Sequence, residues 1–573
     1  MKATDYIARF LHEKNVCAVF EMSGGMITHL LDSIHLYGKT RIVSTHHEQA
    51  AAFAAEGYGR MTGVPGVAMA TSGPGATNLL TGIGSCYFDS TPSVFITGQV
   101  NRHEQKGNRP IRQLGFQETN IVDMARPITK AAWMVTEPKD IPLALEEAFT
   151  TAVSGRPGPV LLDIPMDVQR ADIESTAFAK ATSSHSTLDK SEGHSFLSDM
   201  QSAIKAAKFP LILVGGGVRS GRCVDDFRKL VDKLGIPVVH SLMAVDVLPY
   251  SHPLRMGMIG TYGNRWSNKA LAKSDLVIVL GSRLDVRQTG SDTESFRSGK
   301  RFFHVDCDPG EMNNRVLGCQ TIVAELGDFL RFATESHMHR VDATSWIEEI
   351  SQVRSEWPDD GELPKNTGIN PNKLMHQLSD ANPEASAYVV DVGQHQMWAA
   401  QSLRLNAGQR FLTSGGMGSM GFALPTAIGV AIAIPAPCMV IAGDGGFQTN
   451  LQELETIRRY KLPIKMVIVN NLCHGMVRQF QESYFEGRYQ STFWGYSAPN
   501  FEAVSQAYGI PAKTCREPDE VQDAVDWLIS DPKEPGLLQV MVDTFANAYP
   551  KVAFGLPISE MEPFAKPLEM EST

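Results

Sequence analysis

"VIAGDGGFQTNLQELETIRRYKLPIKMVIVNN", residues 440–471, reads as one strand–turn–helix–strand unit. An apolar run enters a glycine turn at 443–446, and Leu451, Leu454 and Ile457 then share one helical face. A second apolar run follows and ends in paired asparagines. A crossover helix joins parallel neighbouring strands, so Asp444 and Asn471, 27 positions apart, come to the same carboxyl edge of a sheet. That edge is where α/β folds bind ligands. The glycines let backbone approach a phosphate, and the following helix start offers N–H groups to it. A carboxylate, an amide oxygen and a nearby backbone carbonyl make half of an octahedral oxygen shell, which suits Mg²⁺ with phosphate oxygens completing it. "GDGG" alone reads better as a glycine-rich turn with an asparagine cap; the 27-position spacing and the paired asparagines decide for the ligand site.

The same alternation of short β-branched runs with helical patterns extends through most of the 573 residues, enough for three or four domains. The first region shows "VCAVF", "RIVST", "GVAMAT", "SVFITG" and "PVLLDIP" as strands. A second begins with "PLILVGGG" and includes "SDLVIVLGSRLD" and "RFFHVDCDP". The third holds the opening unit together with "AYVVDVGQ" and "LLQVMVDT". These patterns predict an α/β protein of three Rossmann-like domains with parallel sheets, at 1–171, 196–343 and 370–573. Polar, Ser- or Pro-containing linkers fall at 172–195 and 344–369. Thr71 to Pro92 and Ala442 to Pro463 follow one plan at a constant offset of 371, a sign that the outer regions are two copies of one fold. The tail after Ala546 shows no periodicity and is expected to drape over a surface.

Composition narrows the function classes. The chain is 43% hydrophobic and carries a net charge of −11 with no compensating basic stretch, which argues against a nucleic-acid partner. Eight scattered cysteines without a CxxC pair suit a reducing compartment, and the charged start lacks a signal peptide's apolar core; a cytoplasmic protein is expected. Residues 422–442 are uncharged and long enough to cross a bilayer, but Pro425, Pro435 and Pro437 break the run. It reads as a buried helix, a turn and a buried strand, with no membrane partner.

The GDG followed by NN resembles the signature of the thiamine-diphosphate-dependent enzymes. "GQHQMWAAQ" (393–401), "LTSGGMGSMGFALPTAIG" (412–429), "TSGPGATN" (71–78), "FQET" (116–119) and "GRPGPVLLDIP" (155–165) resemble the acetolactate synthase branch, over nearly the whole chain. The resemblance implies an aminopyrimidine-binding first domain, a central FAD-binding domain and a C-terminal diphosphate domain, with active sites at the interface of a homodimer or homotetramer. It implies that Asp444, Asn471 and the Cys473 carbonyl hold Mg²⁺. Gln394, His395, Gly418, Gly445, Gly446, Gly475 and Met476 would line thiamine diphosphate, and Met420 would prop it into a bent shape. Glu48, supplied by the other subunit, would hydrogen-bond the aminopyrimidine and favour its imino tautomer, and Phe116 and Gln117 would lie beside the substrate. The apolar run "HHEQAAAFAAEGYGR" (46–60) suits a carboxyl that shares a proton with a weakly basic ring nitrogen. His46 and His47, adjacent and so facing different ways, receive no role.

In the central region "GSRLDVRQTG" (281–290) and "HVDCD" (304–308) resemble flavin-binding stretches, which implies FAD contacts from Gly215, Gly216, Met243, Arg283, Asp285, Arg287 and Asp306. The alternative is a vestigial domain with these residues in ordinary ion pairs. A flavin here would be structural. The implied reaction is decarboxylation of pyruvate and transfer of the two-carbon unit to an acceptor carbonyl. Three departures bear on that acceptor: "EMSGG" (21–25) where Gly-Tyr-Pro-Gly-Gly is usual, Met166 in place of a lysine, and Phe480 in place of a tryptophan. A second pyruvate and a ketone such as a nucleotide-linked ketosugar both stay open. The segment 101–113, with Arg102, Lys106, Arg109 and Arg112, reads as an anion-facing loop or as a solvated one. A flavin-using 2-oxo acid oxidase or decarboxylase, and a non-catalytic regulatory paralogue, are the competing functions.

Overall fold

The computed structural model describes residues 1–174, 188–363 and 367–569. Residues 175–187 and 364–366 of the expected linkers, and 570–573 of the tail, lie outside the described residues. Three six-stranded sheets organise the chain, each parallel throughout. The α/β class and the three-domain architecture are therefore as the alternating pattern predicts.

The first sheet uses Ala18–Met22, Arg41–Ser44, Gly66–Ala70, Ser93–Gln99, Ala131–Met134 and Pro159–Pro165. Its order is second–first–third–fourth–sixth–fifth. The third sheet, from Ala387–Val390, Arg410–Leu412, Cys438–Gly443, Ile464–Asn470, Ala512–Cys515 and Gly536–Met541, has the same order. The segments related by the offset of 371 join the third and fourth strands of each, so the internal repeat is one of topology. The middle sheet (Pro210–Val214, Val238–His240, Arg255–Met258, Leu276–Leu280, Arg301–Asp306 and Gln320–Val323) runs sixth–fifth–fourth–first–second–third. That is the dinucleotide-binding order.

The outer domains share one core. Helix Glu48–Thr62, almost wholly buried, packs on helix Ala423–Ala433, and Phe53 meets Phe422 edge-on at 5.4 Å. The two backbones come close enough that a β-carbon on Gly429 would stand 2.8 Å from both the Ala54 carbonyl carbon and the Tyr58 nitrogen. Alanine-rich faces permit this approach; a bulkier residue at the crossing would hold the domains apart. The uncharged stretch at 422–442 is this helix plus the buried strand Cys438–Gly443. Among the described residues, no helix is long and apolar enough to cross a membrane.

Three segments have more structure than their composition suggested. Helix Lys190–Ala206 begins inside the expected 172–195 linker, capped by Asp189. Helix Thr344–Glu356 begins inside the polar stretch, burying Trp346 and Ile350. The tail forms a small hairpin, Lys551–Val552 with Met561–Glu562, whose Val552, Ile558 and Met561 pack into the middle domain.

Candidate active site

At the carboxyl edge of the third sheet, strands Cys438–Gly443 and Ile464–Asn470 are hydrogen-bonded neighbours. Asp444 leaves the first and Asn471 the second. Leu472 takes a left-handed conformation (φ 55°) that turns the chain back, and its N–H donates to Asn470 Oδ1 at 3.0 Å. Asn471 Nδ2 donates to Gln394 Oε1 at 3.1 Å, and its Oδ1 accepts from Cys473 N at 3.3 Å. Gln394 Nε2 in turn donates to Gln479 Oε1 (3.1 Å), so the strand that ends at Val390 contributes to the same edge. A β-carbon on Gly475 would lie 2.7 Å from Asn471 Nδ2, and one on Gly445 would lie 3.3 Å from Met420 Cε. Gly446 backs onto Asp391. Met476 is half-buried in the first turn of helix Gly475–Tyr484, and Gly418 (φ 68°) turns the segment that carries Met420.

The electrostatics of this edge favour a cation. Burial pushes the Asp444 carboxyl up to about 6, opposed by a hydrogen bond from Tyr496 (3.0 Å) and by nearby N–H groups. Among the described residues no basic side chain pairs with it, so its negative charge lacks a counter-ion within the protein. No cluster of three His, Cys, Asp or Glu side chains forms a metal site among the described residues. The set at hand is one carboxylate, one amide and one carbonyl, hard oxygen donors of the kind Mg²⁺ prefers. His395 contributes no positive charge: burial pushes it down to about 3, and its Nε2 accepts from Gly443 N at 3.2 Å.

The matching edge of the first sheet carries the other half of the expected residues. Glu48, nearly buried, opens its helix and accepts from Asn78 Nδ2 at 2.9 Å. Its Oε1 lies 3.1 Å from where a Gly75 β-carbon would stand, and Gln117 Cβ lies 2.9 Å from where a Gly73 β-carbon would. The turn 71–75 thus brings Glu48 and Gln117 to one place, with Gln117 left-handed at φ 65°. Thr71 Oγ1 also accepts from Met26 N (3.2 Å), which ties in the departing "EMSGG" turn. Phe116 is 79% exposed, and Met420, Leu472, Val477 and Phe480 are exposed as well.

The two histidines acquire structural tasks. His47 caps the helix, its Nδ1 accepting from Gln49 N at 3.0 Å. His46 is tied to the third domain: its N–H donates to Glu453 Oε1 (2.8 Å) and its ring meets Thr456 Oγ1 (3.1 Å).

A cleft of about 440 Å³ opens where the three domains meet. Gly216, Met243, Arg283, Asp285, Arg287 and Asp306 line it, whereas Gly215 lies behind it against Ser282. The first domain adds Asp89 and Arg156, and the third adds Gly415 and Gly416, which sequence reasoning did not single out. Arg156 belongs to "GRPGP" and Gly415–Gly416 to the 412–429 motif, so both lie in stretches that resemble the acetolactate synthase branch. Arg283 stands 3.6 Å from Asp285, and Arg287 has no acidic partner among the described residues. Guanidinium groups facing a glycine-lined cleft, on a sheet of dinucleotide-binding order, fit the diphosphate of FAD.

The departures sit as follows. Met166 heads helix Met166–Arg170, and the adjacent Asp167 binds Arg102 at 2.7 Å. Arg102 also donates to the Thr136 carbonyl (2.9 Å), so it serves the first domain's own packing; Lys106 reaches the Ile111 carbonyl at 3.3 Å. Arg109 and Arg112 are exposed. Phe480 packs at a tilt of 48° against both Tyr484 and Phe485, ring centres 4.8 and 5.9 Å away.

Comparison with known proteins agrees with this division. Residues 1–124 match the thiamine pyrophosphate enzyme N-terminal TPP binding domain, 197–332 the central domain and 391–540 the C-terminal TPP binding domain. The chain is 35% identical to the acetolactate synthase large subunit of Lactococcus lactis, over 97% of this chain and 95% of that one. It is 36% identical to the large subunit of acetolactate synthase isozyme 2 of Escherichia coli, over 98% and 99%. The Corynebacterium glutamicum large subunit is 36% identical over 98% and 90%.

Proposed function

Because this chain belongs to the thiamine-diphosphate-dependent enzymes, in the acetolactate synthase branch, we propose that it decarboxylates pyruvate and joins the two-carbon unit to the carbonyl of a second pyruvate. Two pyruvates and a proton give acetolactate and carbon dioxide. The observation that carries this reading is the pairing of a buried, uncompensated Asp444 with the 471–473 turn at one sheet edge, beside Met420.

Asp444, Asn471 and the Cys473 carbonyl would hold Mg²⁺. Gln394, His395, Gly418, Gly445, Gly446, Gly475 and Met476 would enclose the diphosphate, with Met420 beneath the bend. Thiamine diphosphate, when bound, would supply a carbon nucleophile and an electron sink for decarboxylating a 2-oxo acid. Glu48 holds a proton against the aminopyrimidine nitrogen, and Asn78 fixes its carboxylate by the 2.9 Å hydrogen bond. Phe116 and Gln117 would orient the 2-oxo acid, and because Phe116 is open to solvent in the single chain, exclusion of water would fall to the second copy that closes the site.

Exposed Phe116, Met420, Val477 and Phe480 support closure of the site by a second copy, as a homodimer or homotetramer. The interdomain cleft would hold FAD as a structural group, through Gly216, Met243, Arg283, Asp285, Arg287 and Asp306 with Gly215 behind them. The protein would act in the cytoplasm, without a nucleic-acid or membrane partner.

One observation favours a second acceptor, a ketone such as a nucleotide-linked ketosugar. Met166 leaves no cation at its position, and neighbouring Arg102 is taken by Asp167, while Arg109 and Arg112 stay exposed. Purified protein given pyruvate alone decides between them. Rapid acetolactate formation supports the first acceptor; slow turnover that rises on adding a keto-sugar nucleotide supports the second. Oxygen uptake at the turnover rate would instead mark an oxidase.

A further inference from the structure

The segment 413–420 touches two sites at once. Gly415 and Gly416 line the interdomain cleft, beside Met243, Phe88 and Asp89. Four residues later Met420 lies against the Gly445 turn, its Cε 3.3 Å from where a β-carbon would stand. Whatever fixes the first part of this segment therefore bears on the second.

Three side chains from outside fix it. Arg60 Nη1 donates to the Thr413 carbonyl at 2.9 Å. Gln396 Nε2 donates to Thr413 Oγ1 (2.7 Å) and the Ser414 carbonyl (3.2 Å). Asp89 grips the turn itself: Oδ2 accepts from Gly415 N at 3.0 Å and Oδ1 from Gly416 N at 2.6 Å. Arg60 Nη2 holds Asp89 in turn, at 3.0 Å, and the Asp89 side chain is 1% exposed. There is little slack, because a β-carbon on Gly416 would meet Phe88 Cβ at 2.7 Å. Ser419 N donates to Ser414 Oγ (3.2 Å), which closes the segment on itself, so a displacement at 415–416 is carried toward Met420.

We propose that Asp89 is a positioning residue that couples the two sites: a flavin in the cleft and thiamine diphosphate beside Met420 strengthen each other's binding through the segment 413–420. This rests on the reading of the cleft as a flavin site. A ligand packed on Gly415, Gly416 and Met243 selects one placement of the segment, and that placement is the one in which Met420 meets the Gly445 turn. Linkage makes the effect reciprocal, so each ligand alters the other's affinity by the same factor.

The test uses the full-length protein stripped of flavin. Thiamine diphosphate affinity is measured with Mg²⁺ by tryptophan fluorescence, without and with saturating FAD, and FAD affinity by flavin fluorescence without and with thiamine diphosphate. In the unaltered protein both factors should be equal and at least about fivefold. In Asp89→Asn, which sets an amide donor against an N–H, the factor should fall toward one while both ligands still bind. Gly416→Ala, which displaces the same turn by contact with Phe88, should do likewise and serves if Asp89→Asn does not fold. A merely structural Asp89 would weaken both affinities and leave their ratio unchanged, which overturns the proposal. Tight FAD binding with a factor of one in the unaltered protein overturns the coupling alone; failure to bind FAD overturns the cleft reading and the coupling together.

Discussion

Gly429→Ala tests the joint on which both halves of the site depend. Gly429 sits inside helix Ala423–Ala433, where it crosses helix Glu48–Thr62. An added β-carbon would stand 2.8 Å from the Ala54 carbonyl carbon and the Tyr58 nitrogen, with the Ala54 oxygen nearer still. Ordinary contact between such atoms is about 3.0–3.4 Å or more, and the Ala54 oxygen is the limiting one, so the helices must part by more than ~1 Å. Every atom in the way is backbone, and no rotamer can relieve the clash. Overpacking of this kind costs about 2–3 kcal/mol. Alanine's better helix propensity returns ~1 kcal/mol. The net loss of ~1–2 kcal/mol should lower the thermal midpoint by roughly 2–8 °C, taking ~2–4 °C per kcal/mol for domains of this size. Gly327→Ala is the matched control. Gly327 also lies in a helix, Leu326–Glu335, and its β-carbon would first meet the flexible end of Arg331 at 3.2 Å. That variant should be neutral or slightly stabilised. If Gly429→Ala melts at or above the unaltered protein, as Gly327→Ala should, the steric argument fails.

Further outcomes follow from other contacts. Arg265 and Glu362 form a buried bidentate pair, 2.7 Å at both contacts, with the guanidinium over the Trp357 and Phe564 rings. Arg265→Met leaves the carboxylate buried and alone and should cost about 3–5 kcal/mol in denaturant unfolding, which the double variant with Glu362→Leu should largely restore. Burial pushes the Asp163 carboxyl up to about 7, against hydrogen bonds from Thr97 and Gln99. Its folded value lies above its free one, so its contribution to stability is complete below about pH 4 and is lost as pH rises through 7. Asp163→Asn should therefore gain on the unaltered protein between pH 6 and 8 in thermal unfolding; a difference independent of pH contradicts this. Asn471→Ala removes an amide donor set at 3.1 Å from Gln394 and should lower Mg²⁺-dependent thiamine diphosphate affinity by at least about tenfold in calorimetric titration.

The α/β class, the three domains and the shared edge of Asp444 and Asn471 were legible because parallel strands buried on both faces leave continuous apolar runs. The strand Ala131–Met134 was not. It lies at a sheet edge with half-buried residues, and its short run "AAWMV" is made largely of alanine and methionine, which favour helix over strand. Helix Thr344–Glu356 carries a helical spacing of its own, Trp346, Ile347, Ile350 and Val353, but the polar, proline-containing run that follows it led the whole stretch to read as a linker. The histidines were opaque for a different reason. His46 is explained by Glu453, 407 positions away, and no local pattern carries that contact. His47 caps through a ring nitrogen, a use outside the customary Ser, Thr, Asp and Asn. The junction cleft was half legible: its central-domain residues follow strands, while Asp89, Arg156, Gly415 and Gly416 reach it from two other domains.

Glu48 is the residue proposed to do proton chemistry in a pyruvate carboligase. Its most direct test is acetolactate formation from ¹³C-pyruvate, followed by NMR with thiamine diphosphate, Mg²⁺ and FAD, in the unaltered protein and in Glu48→Gln. The former should form acetolactate steadily and the latter at a rate at least about 100-fold lower, with thermal midpoint and thiamine diphosphate binding little changed. A Glu48→Gln protein that makes acetolactate at the full rate would contradict it.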